Sequence, residues 1–233
     1  MLNELTKFVV NHYRNDRNVL GILLFGSQAK GAADRFSDVD FYVITNKPPK
    51  FTRDNFIKNG QRVDIIIEDI KTTKTYLKND KGNVRRITSD MLSSAKIVYA
   101  SSTEIKSLIS QARANLKSKT KITRSELLMH QYSIDDFWGE VRRDAKKKDW
   151  IAFGIDSNLL VNNITELVLK LKGSRIVQPN QMNRQLAKTD RIFAGQLTNF
   201  FKSPSQWAKL ATMKAMVEYV ASKTPPFPEK WKI

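Results

Sequence analysis

The chain of 233 residues contains no cysteine and only two histidines, His12 and His130. Disulfide bonds and thiolate metal ligands are therefore excluded, and a zinc site built from imidazoles is disfavoured. No apolar run reaches the roughly 20 residues that a membrane-spanning helix needs, and charges in every turn of the first twenty residues argue against a signal peptide. We expect a soluble protein of the reducing cytoplasm with no membrane partner.

Acidic residues are scarce relative to basic ones. The chain has 23 Asp and Glu against 40 Lys and Arg, a formal net charge of +17. A positive field of this size attracts phosphates, whether they belong to nucleotides, RNA or DNA. The alternative is a lysine surface that is simply solvated, and composition alone leaves both interpretations open.

The apolar pattern changes along the chain and predicts two domains. Before residue 100, short apolar runs of strand length mix with helical spacing, as in the segments NVLGILLF, DVDFYVI, RVDIII and ITSDMLSSAKIVYA. From Ser102 onward the apolar residues recur every 3.6 positions, which is typical of packed helices. We therefore predict an α/β (α+β) domain with a small mixed sheet over residues 1–115, followed by an all-α helical bundle over residues 116–233.

Three aspartates interrupt the predicted strands. Asp38 and Asp40 stand one residue apart, so their side chains project from one face of a strand, with α-carbons about 6.6 to 6.8 Å apart. Two carboxylates at the edge of a buried strand repel each other and lose hydration, and a cation between them offsets that cost. Asp64 adds a third carboxylate in the next strand. Such oxygen ligands suit Mg²⁺ or Mn²⁺, and three of them can hold two ions roughly 3.5 to 4 Å apart.

A Gly-Ser pair follows the first predicted strand and opens a short helix. Backbone N–H groups at a strand-to-helix turn bind anions, and Gly26 allows a phosphate to approach closely. The Ser27 hydroxyl can donate a further hydrogen bond to a phosphate oxygen, and Lys30 adds positive charge one turn later. Each motif alone is common, but their order along the chain indicates a site for a nucleoside triphosphate with divalent ions.

The segments GSQAKG and SDVDFYVI resemble the signature of the nucleotidyltransferase superfamily, which includes DNA polymerase β and bacterial enzymes that modify aminoglycosides and lincosamides. The resemblance implies that Gly26 and Ser27 hold the triphosphate and that Asp38 and Asp40 bind two Mg²⁺ ions. It also implies that Asp64 completes the metal site and assists deprotonation of the attacking hydroxyl. The implied reaction transfers a nucleoside monophosphate, AMP from ATP being favoured, to a small-molecule hydroxyl and releases pyrophosphate.

The helical half resembles, more loosely, the C-terminal domain of aminoglycoside adenylyltransferases through DDFWGEV and WIAFGIDSNLLVNNITELVLKLKG. That resemblance implies a substrate-binding domain in which Asp156 occupies the position of a carboxylate proposed as the general base. One alternative is that Asp156 caps a helix beginning near Ser157. Another is that Asp135, Asp136 or Glu140 fills the same role.

The identity of the acceptor stays open at the level of sequence. The net charge of +17 argues against a polycationic acceptor, because such a molecule needs an acidic pocket. It favours a nucleic-acid-directed transferase or binding protein, although no interleaving of basic and aromatic residues typical of RNA-binding motifs is present. An antitoxin-like nucleotidyltransferase that modifies another protein is a third alternative.

Overall fold

The computed structural model describes residues 4–228 and residue 231. The chain divides into two compact units, Met1–Ser118 and Lys119–Ile233. The first unit contains a five-stranded mixed sheet with helices, and the second is helical, so the predicted fold class is confirmed. Among the described helices, none combines the length and the apolar content that crossing a bilayer requires.

The first unit alternates strands and helices. Its strands are β1 (Val19–Phe25), β2 (Val39–Thr45), β3 (Arg53–Lys58), β4 (Gln61–Asp69) and β5 (Lys96–Ala100). Its helices are α1 (Glu4–Tyr13), α2 (Gly26–Lys30), α3 (Ile70–Asp80), α4 (Ile87–Ser93) and α5 (Glu104–Lys117). The strand order is β3-β4-β2-β1-β5, in which β2 and β4 run parallel and the other neighbours run antiparallel.

Both faces of the sheet are covered. On β2, Val39 and Phe41 belong to a buried cluster with residues of α1, whereas Tyr42 and Ile44 belong to a second cluster with residues of α3, α4 and α5. Burial on both faces explains why β2 reads as a nearly continuous apolar run. It also leaves the end of the strand as the place where a charged side chain can reach solvent.

Two elements of the first unit were not predicted from the sequence. Strand β3 is an edge strand with alternating exposure, and it joins β4 through Asn59 and Gly60, whose φ angles of 52° and 74° suit a tight hairpin turn. The Asn-Gly pair was the signal for this hairpin. Helix α3 lies in a stretch with little apolar periodicity, and its start depends on Asp69, which accepts hydrogen bonds from the backbone of Lys71 and Thr72.

The second unit consists of helices in the described part of the chain. They are α6 (Arg124–Lys147), α7 (Trp150–Leu171), α8 (Pro179–Thr189), α9 (Arg191–Lys202) and α10 (Gln206–Ala221). Only two residues separate α6 from α7, so these long helices are antiparallel neighbours. Ile134, Val141, Leu160 and Ile164 are buried, as their spacing predicts, but Leu159 is 44% exposed and lies outside the core.

Candidate functional site

The sheet topology places Asp40 and Asp64 side by side. The two residues are direct partners in the parallel register of β2 and β4, so their side chains project from the same face of the sheet. Asp38 comes one residue before β2 begins. On the other side of β2, Asp40 pairs with Phe25, the last residue of β1. The turn that follows β1 therefore lies at the same end of the sheet as the three carboxylates.

Gly26 lies directly against Asp40. Its φ angle is +69°, and a Cβ atom built at this position would stand 2.0 Å from Oδ2 of Asp40. Neither the backbone conformation nor the space admits a side chain here. Ser27 is half-buried and Lys30 is exposed at the end of the short helix α2. The Gly-Ser turn and the carboxylate pair thus form one site.

Arg62 lies between two of the carboxylates. Its Nε atom donates a hydrogen bond to Oδ1 of Asp64 at 3.1 Å and stands 3.8 Å from Oδ2 of Asp38. Residues two apart on a strand share a face, which brings Arg62 and Asp64 of β4 together. Sequence reasoning missed this arginine, although its spacing from Asp64 was the available signal. Its guanidinium offsets part of the negative charge of Asp38 and Asp64.

The carboxylates stay electrostatically unbalanced despite Arg62. Burial raises the pKa of Asp40, and the neighbouring charges of Asp64 and Asp38 raise it further. Ionisation of this side chain is therefore costly in the metal-free protein. A cation beside the three carboxylates would remove that cost, and a set of carboxylate oxygens matches the preference of Mg²⁺ and Mn²⁺. The chemistry of this donor set suits a divalent metal, but Asp38, Asp40 and Asp64 are not among the described groups whose three ligand atoms all lie within 4.8 Å of one another.

Asp156 lies in the second unit and is not a helix cap. Helix α7 begins at Trp150, and its cap is Asp149, whose side chain accepts a hydrogen bond from the backbone of Ala152. Asp156 lies within the helix beside two acidic residues of α6, Glu140 and Asp144. The interpretation of Asp156 as an N-cap is therefore wrong.

Glu140, Asp144 and Asp156 form an acidic cluster. Within the described residues they are the group of three acidic side chains whose ligand atoms all lie within 4.8 Å of one another. Burial raises the pKa of Asp156, and the adjacent Asp144 and Glu140 raise it further. Asp144 was missed in the sequence, although it lies four residues after Glu140 and so shares its helix face.

The other acidic residues considered for the second unit lie apart from this cluster. Asp135 and Asp136 belong to α6 and are exposed to solvent. Exposed carboxylates on a helix surface are ordinary solvated groups, and no described residue draws these two into a site.

Comparison with known proteins finds a family match for the first part of the chain. Residues 2–93 match the nucleotidyltransferase domain family. This nucleotidyltransferase match contains the Gly-Ser turn and all three carboxylates of the sheet end, but it covers fewer than half of the residues of the chain. No curated protein matches the chain at a significant level.

A solved structure resembles the chain over a longer span than the family match. It is the nucleotidyltransferase-like protein from Exiguobacterium sibiricum 255-15, with 13% sequence identity and a TM-score of 0.56. The alignment covers 94% of this chain and 75% of that one, so the shared fold extends beyond the nucleotidyltransferase match into the helical unit. At this identity the likeness concerns the fold alone.

Proposed function

We propose that the protein is a divalent-metal-dependent nucleotidyltransferase that transfers a nucleoside monophosphate from a nucleoside triphosphate to a hydroxyl group of a small molecule. ATP is the favoured donor. The observation that carries the proposal is the fit of Gly26 against Asp40, because it joins a phosphate-binding turn to a cluster of carboxylates. The nucleotidyltransferase match over residues 2–93 supports the same assignment.

In this reaction the residues of the sheet end would have distinct roles. The backbone N–H groups at Gly26 and Ser27, with the Ser27 hydroxyl, donate hydrogen bonds to the triphosphate, and Lys30 contributes positive charge. Asp38, Asp40 and Asp64 would hold two Mg²⁺ ions. When bound, such ions neutralise the triphosphate and make the attacking hydroxyl more acidic.

The chain's own groups then position the reactants and accept a proton. The acceptor oxygen bonds to the α-phosphorus while the bond from that phosphorus to the bridging oxygen breaks, and pyrophosphate leaves. Asp64 assists removal of the hydroxyl proton. Arg62 pairs with Asp64 and Asp38. If cations occupied those carboxylates, its guanidinium could pair with a phosphate oxygen instead.

The acceptor is proposed to be an antibiotic-like molecule of the aminoglycoside or lincosamide type, bound by the helical unit. This follows from the resemblance of the helical half to aminoglycoside adenylyltransferases. Asp156 is the candidate general base on the acceptor side. Its raised pKa supports that role, because a carboxylate with a raised pKa is a stronger proton acceptor near neutral pH.

A nucleic-acid acceptor is the second candidate, and the net charge of +17 favours it. One assay distinguishes the two candidate acceptors. The protein and its Asp40→Asn variant are each incubated with Mg²⁺ and each labelled nucleoside triphosphate, and pyrophosphate release is measured with a panel of aminoglycosides, lincosamides, RNA and cell lysate. We expect that a small-molecule acceptor stimulates pyrophosphate release by the wild-type protein but not by the variant. Equal release by wild type and variant with every acceptor would contradict the proposal, and RNA-dependent release would select the second candidate.

Replacement of Asp156 tests the general base. We expect Asp156→Asn to lower turnover by about 10²-fold, the usual contribution of a positioned base, and to leave triphosphate affinity unchanged. Single-turnover rates and equilibrium binding of a non-hydrolysable triphosphate measure the two quantities. Asp135→Asn and Asp136→Asn are matched controls on exposed positions of α6 and should retain the wild-type rate. Wild-type turnover in Asp156→Asn would remove the residue from catalysis.

A further inference from the structure

One oxygen of a buried carboxylate in the second unit, Asp144, lacks a hydrogen-bond partner among the described residues. Asp144 is 2% exposed, and its Oδ1 atom accepts hydrogen bonds from Nε and Nη2 of Arg143 at 3.2 and 3.1 Å. Its Oδ2 atom is buried without a hydrogen-bond partner among the described residues while both neighbouring carboxylates are ionised, and a proton shared with Asp156 is the alternative way to satisfy it. A buried oxygen of a charged group left in this state costs several kcal/mol unless a ligand or proton satisfies it.

The neighbours of Asp144 make the imbalance larger. Glu140 and Asp156 bring their carboxylate oxygens within 4.8 Å of Asp144 and of each other. Arg143 also pairs with Glu140, so one cation faces three carboxylates and the formal charge of the group is about −2 when all are ionised.

From this geometry we propose that Glu140, Asp144 and Asp156 bind a divalent cation within the second unit. Side chains that project from facing helices are a known way to build a metal site in a helical bundle. A divalent ion would satisfy the unpaired oxygen of Asp144 and neutralise the group. The proposal does not depend on the transferase activity, but it replaces the role of Asp156 as general base, because a carboxylate that binds a divalent ion does not accept a proton.

The donor set favours Ca²⁺ over Mg²⁺. Ca²⁺ accepts six to eight oxygen ligands in a flexible geometry, whereas Mg²⁺ demands a near-ideal octahedron. The oxygens of the three carboxylates lie within 4.8 Å of one another, which brings all three near enough to share one ion. Arg143 is half-exposed, so its guanidinium can move to solvent when the ion enters.

The experiment isolates this site by removing the other one. In the full chain, the substitutions Asp38→Asn, Asp40→Asn and Asp64→Asn together eliminate the carboxylates of the sheet end. Calorimetric titration of this triple variant with Ca²⁺ is expected to show one bound ion per chain. Addition of Glu140→Gln should weaken the binding at least tenfold, whereas Asp136→Asn, one turn earlier on α6 and exposed, should leave it unchanged.

Arg143 provides a test that a purely structural role would not pass. Because its guanidinium competes with the ion for Glu140 and Asp144, Arg143→Gln in the triple variant is expected to tighten Ca²⁺ binding by about 3- to 10-fold. Asp156→Asn, at a less buried position than Asp144, serves as a second ligand variant if Glu140→Gln affects folding. Circular dichroism checks that each variant is folded.

The outcomes that overturn the proposal are distinct. Absence of stoichiometric Ca²⁺ binding in a folded triple variant would mean that Asp144 and Asp156 share a proton instead. Binding of a primary amine such as ethylammonium, without binding of Ca²⁺, would make the cluster a site for organic cations. Ca²⁺ binding that Glu140→Gln and Asp156→Asn leave unchanged would place the ion elsewhere.

Discussion

Asp40→Asn is expected to abolish nucleotidyl transfer and at the same time to raise the melting temperature of the metal-free protein. Under the proposed function Asp40 is a metal ligand, and the loss of activity should then exceed about 10³-fold, because such a ligand contributes several kcal/mol of transition-state stabilisation and each 1.4 kcal/mol is about tenfold. The gain in stability follows from the electrostatics. Asparagine keeps the shape of the side chain but removes a half-buried charge that Asp64 and Asp38 repel.

The sign of the pH dependence can be derived from the same pKa. The pKa of Asp40 is higher in the folded than in the unfolded protein, so its ionisation destabilises the fold above that pKa. This penalty disappears as the pH falls through the folded-state pKa. The difference in melting temperature between Asp40→Asn and wild type should therefore be largest near neutral pH and vanish in acid. Mg²⁺ should raise the melting temperature of wild type more than that of the variant.

Glu68 offers a matched control for Asp40. It lies on β4 four residues from Asp64, a separation of about 13 Å along a strand, and burial likewise raises its pKa. Glu68→Gln should leave transfer and the Mg²⁺-dependent shift unchanged. A variant Asp40→Asn that retains activity, or whose melting temperature falls below that of wild type at neutral pH, would contradict this account of the carboxylates.

Gly26→Ala is expected to have the second largest effect. The new Cβ would stand 2.0 Å from Oδ2 of Asp40, and alanine at a φ of +69° is strained in addition. Either the turn or the carboxylate must move, so phosphate and metal binding both suffer. We expect transfer to fall by at least about 10²-fold and Mg²⁺ affinity to fall with it, because small displacements of reacting groups cost factors of this size.

Gly31→Ala distinguishes the effect of the strained backbone conformation from that of the clash with Asp40. Gly31 has nearly the same φ, +68°, but a Cβ at this position meets no atom within 4 Å. This control variant should lose only about 1 to 2 kcal/mol of stability, which is the cost of placing alanine in the left-handed conformation. It should keep its activity and Mg²⁺ affinity. If both alanine variants lose activity equally, strain in α2 rather than contact with Asp40 explains the effect of Gly26. Activity assays, calorimetric Mg²⁺ titrations and melting temperatures distinguish these cases.

Several features of this protein follow from local sequence alone. The strands β1, β2 and β4 are apolar runs bounded by turn residues, and helices α5 and α7 show the 3.6-residue period, so the α/β and helical parts are recognisable from side-chain patterns. The same patterns identify Asp38, Asp40 and Asp64 as charges in unusual positions. Such inferences succeed because burial on a strand or helix repeats with a fixed period.

Other features depend on contacts between segments that are distant in the chain. The parallel register of β2 and β4 places Asp40 opposite Asp64, and the antiparallel partner β1 brings Gly26 against Asp40. No local period specifies which strands pair or in which register, because pairing depends on the whole sheet. The joining of the glycine turn and the carboxylates into one site is therefore a property of the folded sheet.

In the helical unit, too, some features follow from local sequence and others depend on packing. The apolar stripes of α6 and α7 are visible in the sequence, but the start of α7 at Trp150 is set by the cap at Asp149 and by the short connection to α6. That start makes Asp156 an interior residue of the helix instead of its cap. The antiparallel packing then places Asp156 beside Glu140 and Asp144. Only packing brings these three carboxylates together, since twelve or more residues separate Asp156 from the other two.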